Sequence, residues 1–210
     1  MSNVPFSTWQ RPLMLAVASG VLSAGSIIVP SLFFFIWLAF VPLFMALRGK
    51  AVGTRLLLGL ATGLTYFGGT YHWGWWSIVH FFAFSPTIAS LLFLSFLLWN
   101  GTIFALFAVS VPHPGLTTKV QLVSAALVWV VLEHYFPMLV PWQFGSALQP
   151  HLAAIQLAEV TGAAGLSFLI VLVNGLCFRA YEQRRARAAW QRPLVVALGL
   201  VVALYRQPRQ

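Results

Sequence analysis

The chain contains no aspartate and only three glutamates, Glu133, Glu159 and Glu182, and charged residues of either sign make up 7% of its 210 residues. So little charge excludes a water-soluble globular domain, because with 60% hydrophobic residues the remaining polar surface could not cover it. The single cysteine, Cys177, excludes an internal disulfide, and its place near the end of an apolar run makes it a packing residue. Five histidines, His72, His80, His113, His134 and His151, are scattered without the helical spacing of a ligand set, so no metal site is expected. A Gly-rich phosphate loop is absent, and no serine or cysteine stands beside a suitable base in a nucleophile motif. Neither a catalytic residue nor a cofactor can be assigned. Long polar stretches, internal repeats and low-complexity linkers are missing too, which makes residues 1–210 one domain.

What is present is a series of apolar runs separated by short basic clusters. Arg48, Lys50 and Arg55 fall between one pair of runs, Lys119 between another, and Arg179, Arg184, Arg185, Arg187 and Arg192 crowd a third connector, while the intervening connectors carry no Lys or Arg. This alternation is the pattern of a polytopic membrane protein whose basic loops stay in the cytoplasm. The formal net charge of +9 therefore points to anionic lipid headgroups rather than nucleic acid. Arg11, an apolar run and the small residues Ala18, Ser19 and Gly20 imitate a secretory signal, but the runs that follow at once favour an uncleaved first helix with a cytoplasmic N-terminus.

Prolines and basic clusters cut the chain into runs of about 17 to 25 residues, the length that crosses a bilayer core as helix. The expected helices are Pro12–Val29, Ser31–Leu47 after a turn at Pro30, a third from Leu56 through Gly59 and Gly63, Pro86–Val111, Gln121–Leu139 and Leu157–Phe178. Gly59 with Gly63, and Gly162 with Gly165, provide small-residue faces that let helices approach closely. Tyr66, Tyr71, Trp73, Trp75 and Trp76 form an expected interfacial belt. His113, Pro114, Gly115 and Lys119 return the chain inside. Pro141 and Pro150 break the stretch Leu139–Gln156 into an outward loop or re-entrant segment. The last run, Pro193–Tyr205, is short for a crossing, and if it crosses, Arg206 and Arg209 lie outside. The fold class is all-α, a transmembrane bundle of six to seven spans.

Glu133 falls roughly 18 Å along the fifth helix from its cytoplasmic end, at 1.5 Å per residue. An ionisable group at that depth is either functional or paired, with Trp129, His134 and Asn174 as possible partners; a strut between helices and a substrate contact are equally open readings. Glu159 reads as an acid at a helix N-terminus, and Glu182 as a partner of neighbouring arginines.

Trp129 and Glu133, then Pro141, Trp142 and Gly145, then Glu159, Gly162, Gly165, Leu166, Ser167, Phe168, Leu169 and Asn174 together resemble the membrane domain of apolipoprotein N-acyltransferases. Trp37, Pro42 and Leu43, followed by Gly63, Phe67, Gly68 and Trp73, extend the resemblance over most of the chain. The resemblance implies a bacterial inner-membrane protein that moves an acyl chain from a phospholipid to the N-terminal amine of a diacylglyceryl-cysteine lipoprotein. In that family the reaction runs through a cysteine thioester with a glutamate base and a lysine, all in a nitrilase-like domain outside the membrane. Such a domain is expected just past Tyr205, so none of those catalytic residues maps onto this sequence, and Cys177 is not their counterpart. Where the family often has a basic residue soon after the glutamate of the fifth helix, this chain has Tyr135 and Phe136. By resemblance, the outer loop shapes lipid entry, which makes Trp142, Phe144, Glu133 and Trp73 the expected substrate-binding residues, with interfacial anchoring as the competing role of the tryptophans. The expected function is a lipid-holding scaffold that is inactive alone. The rival is a non-catalytic membrane adaptor or small transporter subunit.

Overall fold

Helices account for all regular structure among the described residues, 7–112, 116 and 118–205 of the computed structural model. In chain order they are α1 (Ser7–Ile28), a 3-10 segment (Pro30–Trp37), α2 (Val41–Leu47), α3 (Val52–Thr70), α4 (Trp73–His80), α5 (Pro86–Ser110), α6 (Lys119–Tyr135), a second 3-10 segment (Phe144–Leu148), α7 (Leu152–Arg185) and α8 (Gln191–Tyr205). Local chemistry sets their ends. Ser85 caps α5 by accepting from Ile88 N, with Pro86 in the first turn where its missing N–H costs nothing. Thr118 and Gln121 form a reciprocal capping box at the start of α6, with bonds of 3.0 and 3.2 Å.

The expected helix to Leu139 stops at Tyr135 instead. Phe136 precedes Pro137, whose ring disfavours helical geometry in its neighbour, and Phe136 is extended at ψ 125°. The expected continuous run Ser31–Leu47 is likewise broken into the first 3-10 segment and α2, bent by 40°. Pro42 stands in the first turn of α2 and has no N–H to bond back to Leu38, so a helix cannot run unbroken through this point. The groups exposed at this break are met by side chains: Asn174 Oδ1 accepts from Phe40 N at 2.7 Å, Asn174 Nδ2 donates to Ile36 O at 2.8 Å, and Ser19 Oγ donates to Ala39 O at 2.6 Å. Irregular backbone is stable at membrane depth only when satisfied from within the protein in this way.

α3 lies between α1 and α5. Gly63 faces Gly101 so closely that a Cβ on it would come within 2.6 Å of the Gly101 Cα, and a Cβ on Gly59 would come within 2.7 Å of the Ala105 Cα. In lipid the hydrophobic effect gives helices little reason to associate, so this close approach and the dispersion it permits hold the pair together. Beside it, Phe40, Phe104, Phe107, Trp129 and Phe144 form a fully buried aromatic core, with the Phe40 ring 4.8 Å from Phe144 and 4.9 Å from Trp129. Tyr66 belongs to this core rather than to an interfacial belt: it has no exposed surface and packs on Phe104 and Trp142. Trp73 and Trp76 are exposed on the short α4, and Trp75 donates to Ser90 Oγ at 3.0 Å, tying α4 to α5.

α1, α5 and α7 are long and apolar enough to cross a membrane, and the bent pair makes a fourth crossing if counted as one. Six to seven spans are not reached by this measure, because α6 and α8 are only 17 and 15 residues long and α3, at 19 residues, is less apolar than the helices counted. The basic clusters gather at one end of the bundle. Arg11, Arg48, Lys50 and Arg185 surround one small cavity there, and Lys119, Arg179 and Arg192 line another. Glu182 pairs with Arg48, 2.8 Å away, rather than with the arginines beside it in sequence. Arg55, expected in a turn, already belongs to α3; it is buried and donates to the Val111 carbonyl at the end of α5, where a cation meets the helix dipole. His113, Pro114, Gly115, Arg206 and Arg209 lie outside the described residues.

Candidate functional site

The end of the bundle opposite the cations carries a cleft of about 650 Å³, bordered by the end of α6 and the loop 136–143 that follows it. Glu133, His134, Trp142, Gln143 and Ser146 are among its lining residues. Pro137 releases the chain from α6, and its carbonyl accepts from Trp99 Nε1 at 2.8 Å, which fixes the start of the loop against α5. The loop then dips into the protein as the 3-10 segment Phe144–Leu148, four of whose five residues are buried.

Glu133 holds that dip in place. Its Oε1 accepts from Trp129 Nε1 at 2.8 Å, one helical turn earlier, and from Phe144 N at 2.5 Å. The next backbone donor, Gly145 N, is taken by Ser167 Oγ of α7 at 2.8 Å. Two consecutive N–H groups of a buried irregular segment are thus satisfied by side chains from two different helices, as a low-dielectric interior requires. Gly145 is required sterically, because a Cβ there would come within 2.8 Å of the Leu166 Cβ. Glu133 Oε2 is buried without a hydrogen bond of good geometry, although the Ser167 hydroxyl is near enough to interact with the carboxyl group.

Of the three partners expected for Glu133, Trp129 is one; His134 is exposed at the cleft, and Asn174 serves the break before α2. Glu159 is not at a helix N-terminus. α7 begins at Leu152, after Pro150 and the N-cap His151, so Glu159 sits exposed inside it, just before a kink at Gly162 (φ 69°, ψ 173°), a conformation that favours glycine.

The residues expected to meet substrate are placed differently from one another. Trp142 lines the cleft with its ring 5.0 Å from Tyr66 and 5.8 Å from Phe67, and its indole N–H is buried without a partner. Phe144 has no exposed surface; it lies beneath Trp142 in the aromatic core, and its backbone N–H is the group Glu133 holds. Trp73 is 55% exposed and lies outside the cleft lining, but is joined to it by aromatic contacts: Trp142 on Phe67, Phe67 on Tyr71 and Tyr71 on Trp73, each with centroids within 6.0 Å. Residue-by-residue reading missed Ser167 as an acceptor and Pro137 as the start of the loop. Pro137 was visible as a helix breaker, whereas a buried serine in an apolar run carries no local sign of its partner. Cys177 is half-buried in α7 and has no part in the cleft. Among the described residues, no group of three His, Cys, Asp or Glu converges to hold a metal ion.

Residues 19–176 match the family model described as the apolipoprotein N-acyltransferase N-terminal domain. The chain is 33% identical over 200 residues to the apolipoprotein N-acyltransferase of Geobacter metallireducens, covering 93% of this chain and 38% of that protein. It is 27% identical over 165 residues to apolipoprotein N-acyltransferase 2 of Leptospira interrogans, 77% of this chain and 28% of that one. Over 188 residues it is 26% identical to the apolipoprotein N-acyltransferase of a Nostoc species, 82% of this chain and 37% of that one. It thus spans little more than a third of the curated relatives it matches, at most. The match runs through α3, α5 and α6, the Glu133 brace, the loop 136–143 and the Ser167 turn of α7, and the chain belongs to the apolipoprotein N-acyltransferase family, in its N-terminal membrane domain.

Proposed function

We propose that this chain is the membrane-embedded, lipid-holding part of a protein that transfers an acyl chain from a phospholipid to a diacylglyceryl lipoprotein. The observation that carries this reading is the cleft bordered by Glu133 and Trp142 in a chain of this family. Its wall is aromatic at Trp142 and polar at Glu133, Gln143 and Ser146, which suits a ligand with an acyl chain and a polar head. In this reading the acyl chain rests on Trp142 and extends along the aromatic contacts toward Trp73. Phe144 packs beneath as the floor, and Glu133 positions the floor through Phe144 N rather than by proton transfer. The thioester chemistry of the family uses groups that no residue here matches, so the role assigned to residues 1–210 is to bind and orient lipid.

The same reading takes the cation-rich end as cytoplasmic and the cleft as facing outward from a bacterial inner membrane, with the N-terminus inside. It counts α3, α6 and α8 as further crossings, giving six to seven spans. Two observations support α8: it begins beside Arg192 at the basic end, and Tyr205 at its far end packs on His151 and Phe33 next to the outer loop.

The test is complementation of cells depleted of their own transferase, with lipoprotein acylation read by mass spectrometry. The 210-residue chain alone is expected to leave lipoproteins diacylated. The chain joined in frame to the remaining part of a full-length relative is expected to restore the third acyl chain, and Trp142→Ala in that fusion to reduce it. Triacylated lipoprotein from residues 1–210 alone would overturn the scaffold role. Unchanged transfer in the Trp142→Ala fusion would leave Trp142 only an anchor.

A further inference from the structure

A second groove, of about 580 Å³, lies at the opposite end of the molecule between α6, α7 and α8. It exists because α8 packs on α7 and leaves a wedge between itself and α6. Lys119, in the first turn of α6, is fourteen residues before Glu133, so the groove mouth and the cleft are roughly 21 Å apart along that helix.

The two ends of the groove differ in chemistry. One wall is apolar, with Leu172 and Leu176 of α7 facing Val196 and Leu200 of α8. At the other end stand Lys119, Arg179 and Arg192, with no carboxylate among the lining residues. Glu182 does not neutralise them, since it is paired with Arg48 in a different cavity. Arg184 lies over the Trp190 ring and Arg185 over the Tyr181 ring, and neither lines the groove. Inside it, Arg179 Nε and Gln183 Oε1 are buried without a hydrogen-bond partner among the described residues. A buried guanidinium N–H without an acceptor is costly, and an anionic oxygen from a ligand would satisfy it with a charge-assisted bond.

We propose that this groove holds one anionic phospholipid, its phosphate between Lys119, Arg179 and Arg192 and an acyl chain along Leu172, Leu176, Val196 and Leu200. Three cations beside an apolar slot between membrane helices match a headgroup and its chain together. A second protein helix would leave the cations unneutralised unless it brought acids, and a free phosphate would leave the apolar wall uncovered. Bound there, the lipid joins α8 to α6, which α8 does not otherwise reach closely, and so fixes α8 in place. This site is distinct from the Glu133–Trp142 cleft and does not depend on the function proposed for it.

Native mass spectrometry of the purified 210-residue chain in detergent, with equimolar phosphatidylglycerol and phosphatidylcholine of identical acyl chains, tests the assignment. The wild type is expected to retain one phosphatidylglycerol in preference to phosphatidylcholine. The variant Lys119→Gln/Arg179→Gln/Arg192→Gln should lose that preference by about tenfold or more. Lys50→Gln/Arg184→Gln/Arg187→Gln, which removes equal charge outside the groove, should keep it. Val196→Trp, which fills the apolar wall and leaves every cation in place, should lower retention of phosphatidylglycerol, and it stands as the test if the triple variant fails to fold. Equal preference in wild type and groove variant, loss of preference in both triple variants alike, or displacement of the lipid by glycerophosphate at equal concentration would each overturn the proposal.

Discussion

Replacing Glu133 with alanine removes one side chain and strands two buried donors, Trp129 Nε1–H and Phe144 N–H, now held at 2.8 and 2.5 Å. Each buried donor left without a partner costs about 1–3 kcal/mol, so the pair is worth roughly 2–6 kcal/mol. The cleft runs up to Glu133, and water entering from it would recover part of this, leaving about 2–4 kcal/mol. For a chain of this size that is a fall in melting temperature of roughly 5–15 °C. Glu133→Gln separates the brace from the charge. Its amide oxygen can take the place of Oε1 and keep both bonds, while the amide nitrogen replaces Oε2, which accepts no well-formed bond. The Ser167 hydroxyl can accept one of the two new amide donors, so the expected cost is about 1–2 kcal/mol, below that of alanine. Thermal unfolding of wild type, Glu133→Gln and Glu133→Ala in one detergent measures both. An alanine variant as stable as wild type, or a glutamine variant as damaged as alanine, would refute the brace.

Three further substitutions probe the packing and the kink. Gly63→Ala forces a Cβ against Gly101 and is expected to destabilise the α3–α5 pair by about 1–3 kcal/mol, whereas Gly53→Ala, which meets nothing within 4 Å, should be neutral or slightly stabilising in the same unfolding assay. Gly162→Ala has free space around it but a backbone at φ 69°, so its expected loss of about 1–3 kcal/mol is conformational and should appear although no contact is broken.

Membrane class, the basic clusters and the close-packing glycines of α3 were legible in the sequence because each is a local signal. Lys and Arg stand out in an apolar chain, and glycines four residues apart share a helix face whatever they meet. Pro86 marked the start of α5 in the same way. The break before α2 was not legible, since it depends on Asn174, 134 residues away from Phe40, to accept its N–H. Glu133 was recognisable as a costly residue that needs partners, but a backbone N–H eleven residues later could be identified only once the loop had folded back on α6. Phe144 and Tyr66 show the same limit: the first reads as a lipid contact in a loop and the second as an interfacial ring, and the fold turns both fully inward. Arg55 looked like one more headgroup cation, yet the end of α5 claims it.

The proposed function requires the cleft and the arginines to lie on opposite sides of one membrane, with the cleft outward. In a Cys177→Ser background, single cysteines introduced by Gln149→Cys at the cleft and Ala188→Cys in the arginine connector can be exposed to a membrane-impermeant thiol reagent on intact spheroplasts. Labelling is expected at position 149 in intact spheroplasts and at position 188 only after the membrane is permeabilised. Labelling of position 188 from outside, with position 149 protected, would contradict it.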